Sequence, residues 1–543
     1  VDTARRRIVR AGKDDRGYQR LLAAPGEPHV VREDLAAAAP GRGDTRVSVL
    51  AFAHLSDLHV MDAQSPTRVE FLERHADPDS LHRQQVPAVG TYRPQEMFTT
   101  HVAEAMVRAV NDVPTPLAFA ISTGDATDAC QANELRNYLA VLDGGTVRPG
   151  SGDPNRWEGV HASDPATYDT RYWHPDGTPE GCADDLPRAA YGYPTAPGAL
   201  AAAAKPFQAN GLSMPWYAVH GNHDNMVQGT VPPTVELARA TVGTRKAVGL
   251  PEGADELGLL LGLASAQPSA VAALAKSPMV SVTADPERRH VTRTEWVAEH
   301  LRSDGKPRGH GFGDDNVADG TAYYAFDSGV VRGLVLDTVN PHGHWEGSLD
   351  LAQFEWLEDQ LRAGSRRHLA EDGSLVDQPD ATDRLFVLFS HHPLDSLVND
   401  NGSGRLLAEP MLRLLLRFPN VVLWVNGHTH TNTVRCHRRA ENAVLPGGFW
   451  QVTTASHIDW PQQARVVELL DNRDGSLSIV GTVLDHVGPL AWTGEADPIA
   501  LAALSRELAA NYWQTRDNAA RESIGAGTPS DRNVELLLPH PFG

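Results

Sequence analysis

Five short apolar runs organise this sequence. Val47 to Leu55 is almost continuously apolar, as expected of a strand buried on both faces. Leu117 to Ile121, Trp216 to Val219, Leu385 to Phe389 and Val421 to Val425 read the same way. Between the first two runs, Met97, Val102, Met106 and Val110 recur on one face of a helix predicted over Gln95 to Val110, which gives a β-α-β unit. Leu351, Phe354, Leu357 and Leu361 mark a second amphipathic helix. Arg465 to Leu470 and Ser476 to Val483 are expected as late strands that complete the second sheet. Asp497-Pro498 starts a C-terminal helix to about Trp513, with proline in its first turn, and a polar tail follows. The predicted class is α/β.

Each apolar run ends in a block of metal-binding residue types. The blocks are Asp57-x-His59, Gly124-Asp125-x-x-Asp128, Gly221-Asn222-His223-Asp224, His391-His392-Pro393 and Gly427-His428-Thr429-His430. Ligands at the carboxyl ends of sheet strands are the rule for α/β sites. Phosphoester hydrolysis needs an activated water and charge neutralisation on phosphoryl oxygens, and two cations roughly 3.5–4 Å apart supply both. Mixed imidazole and carboxylate donors suit zinc, manganese or iron. One carboxylate must bridge the pair, and Asp125, in a sharp turn after Gly124, is the natural choice. Asp-x-His alone is a weak signal. Five blocks in order, each after its own apolar run, are a strong one.

The blocks resemble the calcineurin-like metallophosphoesterase superfamily, and the long spacings resemble its bacterial, largely actinobacterial, long-insert branch. Ser56 to Val60, Tyr323 to Asp327, Val335 to Asn340 and Gly347 to Leu357 add family-like text. The resemblance spans about 46–485 and is specific only at the blocks. It implies a two-sheet β-sandwich flanked by helices, with long inserts over the active-site face. It implies that Asp57, His59 and His430 hold one metal, that Asn222, His391 and His428 hold the other, and that Asp125 bridges them. His391 is preferred to His392 as the ligand. His223 would protonate the leaving oxygen, oriented by Asp224 or Asp128. Purple acid phosphatases, a related group, carry a tyrosine where this chain has Asp128, so an iron(III)–tyrosinate centre is not expected. The implied cofactors are two divalent or trivalent ions (Mn, Fe or Zn).

Other residues are candidates for substrate contact. Arg68 could neutralise a phosphate, and His392, His342, His344 and His457 could face the substrate. Each also has a structural reading, as an ion-paired or hydrogen-bonded side chain. About 100 residues separate Asp125 from Asn222 and about 170 separate Asn222 from His391, more than a minimal sheet requires. Inserts are therefore placed at about 143–212, read as irregular, and 226–320, with a helical stretch at 254–276 and a Gly/Asp-rich loop from Ser303 to Gly320. The expected division is an N-terminal extension (1–45), a catalytic domain (46–485) and a C-terminal helix and tail (486–543).

Composition narrows the partners. The 543 residues carry a formal charge of −21, which argues against a nucleic-acid-binding role. No apolar stretch is long enough to span a bilayer. Cys130, Cys182 and Cys436 show no metal spacing and can form at most one bridge. The chain starts at Val1, so removal of a leader is expected, and long-insert relatives often use twin-arginine export; a secreted or cell-surface location is expected, with the cytoplasm as the alternative. The function expected first is hydrolysis of small phosphomonoesters or nucleotides. A phosphodiesterase acting on cyclic nucleotides, glycerophosphodiesters or lipid headgroups is the alternative, and a non-catalytic recognition protein with structural metals is the third. The sequence does not indicate an oligomeric state.

Overall fold

A computed structural model of the protein describes residues 2–516 and 524–542. Val1, where processing was expected, and residues 517–523 and 543 of the expected tail lie outside the described residues.

Two sheets dominate. One has seven strands in the order Val30–Arg32, Val534–Pro539, Ser476–Asp485, Gln463–Asp471, Val47–Leu55, Phe119–Thr123 and Trp216–Val219. The other has six, in the order Tyr324–Ser328, Val331–Val335, Leu385–Phe389, Val421–Asn426, Gly448–Thr453 and Thr433–Arg438. The 47–55, 119–123 and 216–219 strands run parallel, as do 331–335, 385–389, 421–426 and 448–453. Antiparallel strands flank the parallel run on both sides of the six-stranded sheet. All five apolar runs are therefore strands, and all five are interior to their sheets or buried against the opposite one.

The sheets pack face to face. Phe389 of the second sheet meets Phe52 and Phe119 of the first, with ring centroids 5.6 and 6.3 Å apart. Phe326 crosses the same interface to Phe119 at 5.2 Å. Such offset and edge-on contacts fill the space between sheets without voids. Helices cover the outer faces. Thr99–Asn111 and Pro498–Ala510 lie against each other through Val102, Ala105 and Ala502. Asp497 caps the latter helix by accepting from the Ile499 and Ala500 amides. Leu351–Ala363 and Ala408–Arg417 contribute Leu357, Leu361, Met411, Leu414 and Leu415 to a core beneath the second sheet.

Three sequence expectations change. The strands at 463–471 and 476–485 join the 47–55 strand, so they extend the first metal-bearing sheet rather than the second. Part of the expected polar tail, Val534–Pro539, is a buried strand between 476–485 and 30–32. The Ser303–Gly320 stretch is not plain loop but holds a short helix, Asp314–Asp319. The first insert is largely irregular, as expected, with short helices at Leu186–Tyr191 and Ala199–Ala203. The second holds helices Glu256–Ala264 and Pro268–Ala273, broken at Gln267-Pro268. All three cysteines are free thiols. Among the described residues no helix is long and apolar enough to cross a membrane.

Candidate metal centre

The parallel strands of both sheets deliver their metal blocks to one edge of the sandwich. Asp57 and His59 follow 47–55, Asp125 and Asp128 follow 119–123, and Asn222 and His223 follow 216–219. From the facing sheet, His391 follows 385–389, and His428 and His430 follow 421–426. Backbone bonds stitch these loops together. The His59 amide donates to the Asp125 carbonyl at 2.9 Å, the Gly427 amide to the His391 carbonyl at 2.9 Å, and the His428 amide to Asp57 Oδ1 at 3.0 Å. The chain leaves each strand so sharply that five of the seven expected ligands have left-handed backbones: Asp57 (φ 51°), His59 (44°), Asp125 (49°), His428 (69°) and His430 (54°). Each such residue costs about 1 kcal/mol or more and persists only where surroundings enforce it. Gly124 (φ 90°) is required for closeness as well, since a Cβ there would sit 2.7 Å from His391 Nδ1.

One group of donors is formed by Asp57, His59 and His430. His59 Nε2 lies 3.1 Å from His430 Nε2, His430 Nε2 lies 3.4 Å from Asp57 Oδ1, and His59 Nε2 lies 3.6 Å from Asp125 Oδ2. The other nitrogen of each ring is taken. His59 Nδ1 donates to Asp128 Oδ1 (3.2 Å) and His430 Nδ1 to Asp459 Oδ2 (2.6 Å). A second group joins Asp57, Asp125 and His391. His391 Nδ1 donates to the Thr123 carbonyl at 2.8 Å, which aims Nε2 at Asp125 Oδ2, 3.2 Å away. Asn222 donates through Nδ2 to the Gly229 carbonyl at 3.0 Å, and its buried Oδ1 has no hydrogen-bond partner. His391 Nε2 is likewise buried without one.

These residues fit a pair of metal ions. Orphaned buried acceptors are costly unless something polar meets them. Donor separations of 3.1–3.6 Å are what atoms share when they bind one ion at about 2.1 Å. Asp125 reaches both groups and is placed to bridge. His391 and His430 would otherwise be buried near carboxylates as imidazolium. Burial lowers their pKa values, but Asp125 overrides this for His391, which rises to about 9, and Asp459 and Asp57 do so for His430, which rises to about 10. Asp57 resists the upward push of burial through His430 and His391 and stays at about 2.

His223 faces the same edge. Its amide donates to Asp125 Oδ1 (2.9 Å) and its Nδ1 to the Asp128 carbonyl (2.6 Å), so Nε2 is the ring atom left for chemistry. Asp128 orients it, and Asp224 does not. Asp224 is fully buried and accepts from the Gly221 and Thr127 amides (both 2.9 Å), pinning the Asn222 loop to the Asp125 loop.

Three of the five expected substrate contacts, Arg68, His392 and His457, are corrected by burial. Arg68 is 1% exposed and bonds to Asp128, to Glu96 (2.8 Å) and to the Thr91 carbonyl (2.8 Å), so it braces Asp128. His392 is fully buried, with Nδ1 on Thr338 Oγ1 (2.8 Å) and Nε2 on the Trp345 carbonyl (2.9 Å), so both nitrogens are occupied although it neighbours His391 and His428. His457 is fully buried behind Asp57, to whose carbonyl its amide donates (3.1 Å). Burial pushes its pKa down to about 4. His342 is exposed and packs against Gly402. His344 stacks on Trp345 at 4.0 Å and accepts from the Glu346 amide.

Sequence reasoning missed four groups. Asp459 and Arg93 form a two-pronged ion pair (2.5 and 3.0 Å) behind His430. Glu346 Oε2 lies 3.5 Å from His428 Nε2. Gln228 donates to Asp128 Oδ2 at 2.6 Å. Asp459 lies two residues from His457, which the sequence marks as a candidate.

The family model described as calcineurin-like phosphoesterase matches residues 191–432, which include Asn222, His391, His428 and His430. This supports a place for the chain in that superfamily. The glycerophosphodiester phosphodiesterase GpdQ of Enterobacter lignolyticus is 33% identical over 137 residues, covering 24% of this chain and 41% of that protein. The chain thus spans about two fifths of the length of that curated relative. Among solved structures, a dimetal phosphatase from Danio rerio aligns over 81% of this chain and 98% of its own, at 12% identity and a TM-score of 0.36. A purple acid phosphatase from yellow lupin (Lupinus luteus) seeds aligns over 88% and 57%, at 12% identity and a TM-score of 0.28.

Two expectations follow. Metal ligation needs neutral imidazole, so loading the chain at pH 7 must expel the protons held by His391 and His430. We expect about two protons released at pH 7, fewer as pH passes 9 and 10, and affinity rising with pH, measured by calorimetry in buffers of different ionisation enthalpy. Loading at pH 7 without proton release would contradict it. In the metal-free chain the same raised values stabilise the fold fully below pH 6.5, and that contribution is lost as pH rises through about 9 and 10. Second, Asp459→Asn should weaken metal binding at the His430 position by about 10- to 100-fold, as loss of an outer carboxylate typically does. Equilibrium dialysis reads this directly, and unchanged affinity would remove Asp459 from the centre.

Proposed function

We propose that the protein is a two-metal phosphoester hydrolase that acts on phosphodiesters in preference to monoesters. The observation that carries the preference is the charge at the site. A monoester brings two negative charges near neutrality, and a diester brings one. The arginines beside the centre are committed elsewhere: Arg68 to Asp128 and Glu96, Arg93 to Asp459. Glu346 adds a carboxylate on the His428 side. A cation for the second charge of a monoester is therefore not offered by these groups, and a singly charged phosphate is favoured. The activity named for the curated relative, on a glycerophosphodiester, is of this class and guides the choice of probes.

When bound, the two ions would supply charge neutralisation and an activated water. The chain's own residues do the rest. Asp57, His59, Asp125, Asn222, His391, His428 and His430 would hold the ions. Asp128, braced by Arg68 and Gln228, orients His59 by its carboxylate and His223 by its carbonyl. His223 Nε2, as imidazolium, gives its proton to the departing alkoxide, with the Asp128 carboxylate 3.7 Å from Nδ1 to stabilise the charged ring.

The test compares bis-p-nitrophenyl phosphate, glycerophosphodiesters and p-nitrophenyl phosphate with manganese, zinc or iron supplied. We expect kcat/KM at least about tenfold higher for the diesters. A monoester preference would overturn the reading, and loaded protein inactive on all three would point to the recognition role instead. His223→Ala should lower kcat by about 10²–10⁴-fold on alkyl esters, and much less on p-nitrophenyl esters, whose leaving group departs without a proton. Equal losses on both, with metal content unchanged, would assign the proton transfer to another group.

A further inference from the structure

A second histidine cluster lies apart from the metal centre. His75 stands near the end of the helical turn Glu70–Ala76, His82 follows in the next turns, and Glu256 opens the helix Glu256–Ala264 of the second insert. One ligand atom from each lies within 4.8 Å of the other two. His82 Nε2 is 3.0 Å from Glu256 Oε2, and the two imidazole rings are centred 5.8 Å apart. Glu256 is 56% exposed and His82 21%, so solvent reaches the cluster from one side. An ion pair between His82 and Glu256 accounts for two of the three residues and leaves the convergence of His75 unexplained.

We propose that His75, His82 and Glu256 form a separate divalent-cation site of zinc-like preference, which clips the second insert to the 70–85 segment. Two imidazoles and one carboxylate, with a position open to water, are a donor set that zinc accepts readily. Burial lowers the pKa of His75, which keeps its imidazole in the neutral, ligating form. The clip has mechanical sense. The two segments already share a small apolar cluster, in which Phe71 and Leu72 meet Leu259, Leu260, Leu263 and Ala270, and a buried ion pair between Lys246 and Glu70 (2.6 Å). A cation bound to both sides would add a third attachment at the far end of the segment. Arg68 lies just ahead of the 70–85 segment and Gln228 lies at the start of the insert, so both side chains that brace Asp128 adjoin the clipped unit.

The experiment counts zinc by elemental analysis after zinc loading and gel filtration, with folding checked by circular dichroism. Wild type should hold one equivalent more than the His75→Ala/His82→Ala double variant, and one more than Glu256→Gln. Asp125→Ala, which disables the main centre, should keep one equivalent. Glu256→Gln changes an exposed group to its near-isostere and keeps the test valid if the histidine variant misfolds. Equal zinc in wild type and in folded variants would overturn the site. If wild type held one equivalent and the variants none, the clip would stand while the two-metal reading of the main centre fell.

Discussion

Two imidazole nitrogens facing each other at 3.1 Å, His59 Nε2 and His430 Nε2, set the terms for the rest of this structure. Their opposite nitrogens are tied to the carboxylates of Asp128 and Asp459, so both lone pairs point at one spot. Neutral rings in that arrangement repel. Only positive charge between them, a proton or a metal, makes it favourable. The surrounding anions follow the same logic: Asp57 and Asp125 stay ionised in a dry site because cationic partners are at hand. Each ligand imidazole whose contacts are described is steered through its far side, as metal-binding histidines usually are.

Holding that arrangement is what the sandwich is for. Parallel strands from two facing sheets end at a common edge, so ligands far apart in sequence meet without long side chains. The strained backbones at Asp57, His59, Asp125, His428 and His430 are tolerable because amide-to-carbonyl and amide-to-carboxylate bonds between neighbouring loops over-determine them. Asp224 shows the scale of this effort, since a buried carboxylate is spent on the amides of Gly221 and Thr127 and on the Thr127 hydroxyl.

The sheets and the ligand blocks were legible in the sequence because both are local. A buried parallel strand is a continuous apolar run, and its ligand block follows at once. What faces a ligand from behind is not local. Asp459 reaches His430 across 29 positions, and Glu346 reaches His428 from a loop in another part of the chain. Arg68 and His457 misled because residue type announces chemistry but not burial. An arginine near a phosphate site reads as a phosphate clamp until Glu96 and Asp128 are seen to neutralise it. Segment 534–539 reads as tail because its short apolar stretch, between polar residues, has no partner nearby in sequence.

That last strand has a consequence for how the molecule is made. Val30 pairs with Val534, so the edge strand of the seven-stranded sheet waits for a partner about 500 residues downstream. Loop-closure entropy grows only slowly with such a separation, so the equilibrium cost is modest. The kinetic cost is larger. During synthesis the 476–485 strand emerges with one edge bare, and it stays bare until 534–539 arrives to cover it. Until then the nascent chain presents an open β-edge to every neighbouring chain on the same message. Chaperone contact over that interval would therefore matter more for yield than for the stability of the finished fold.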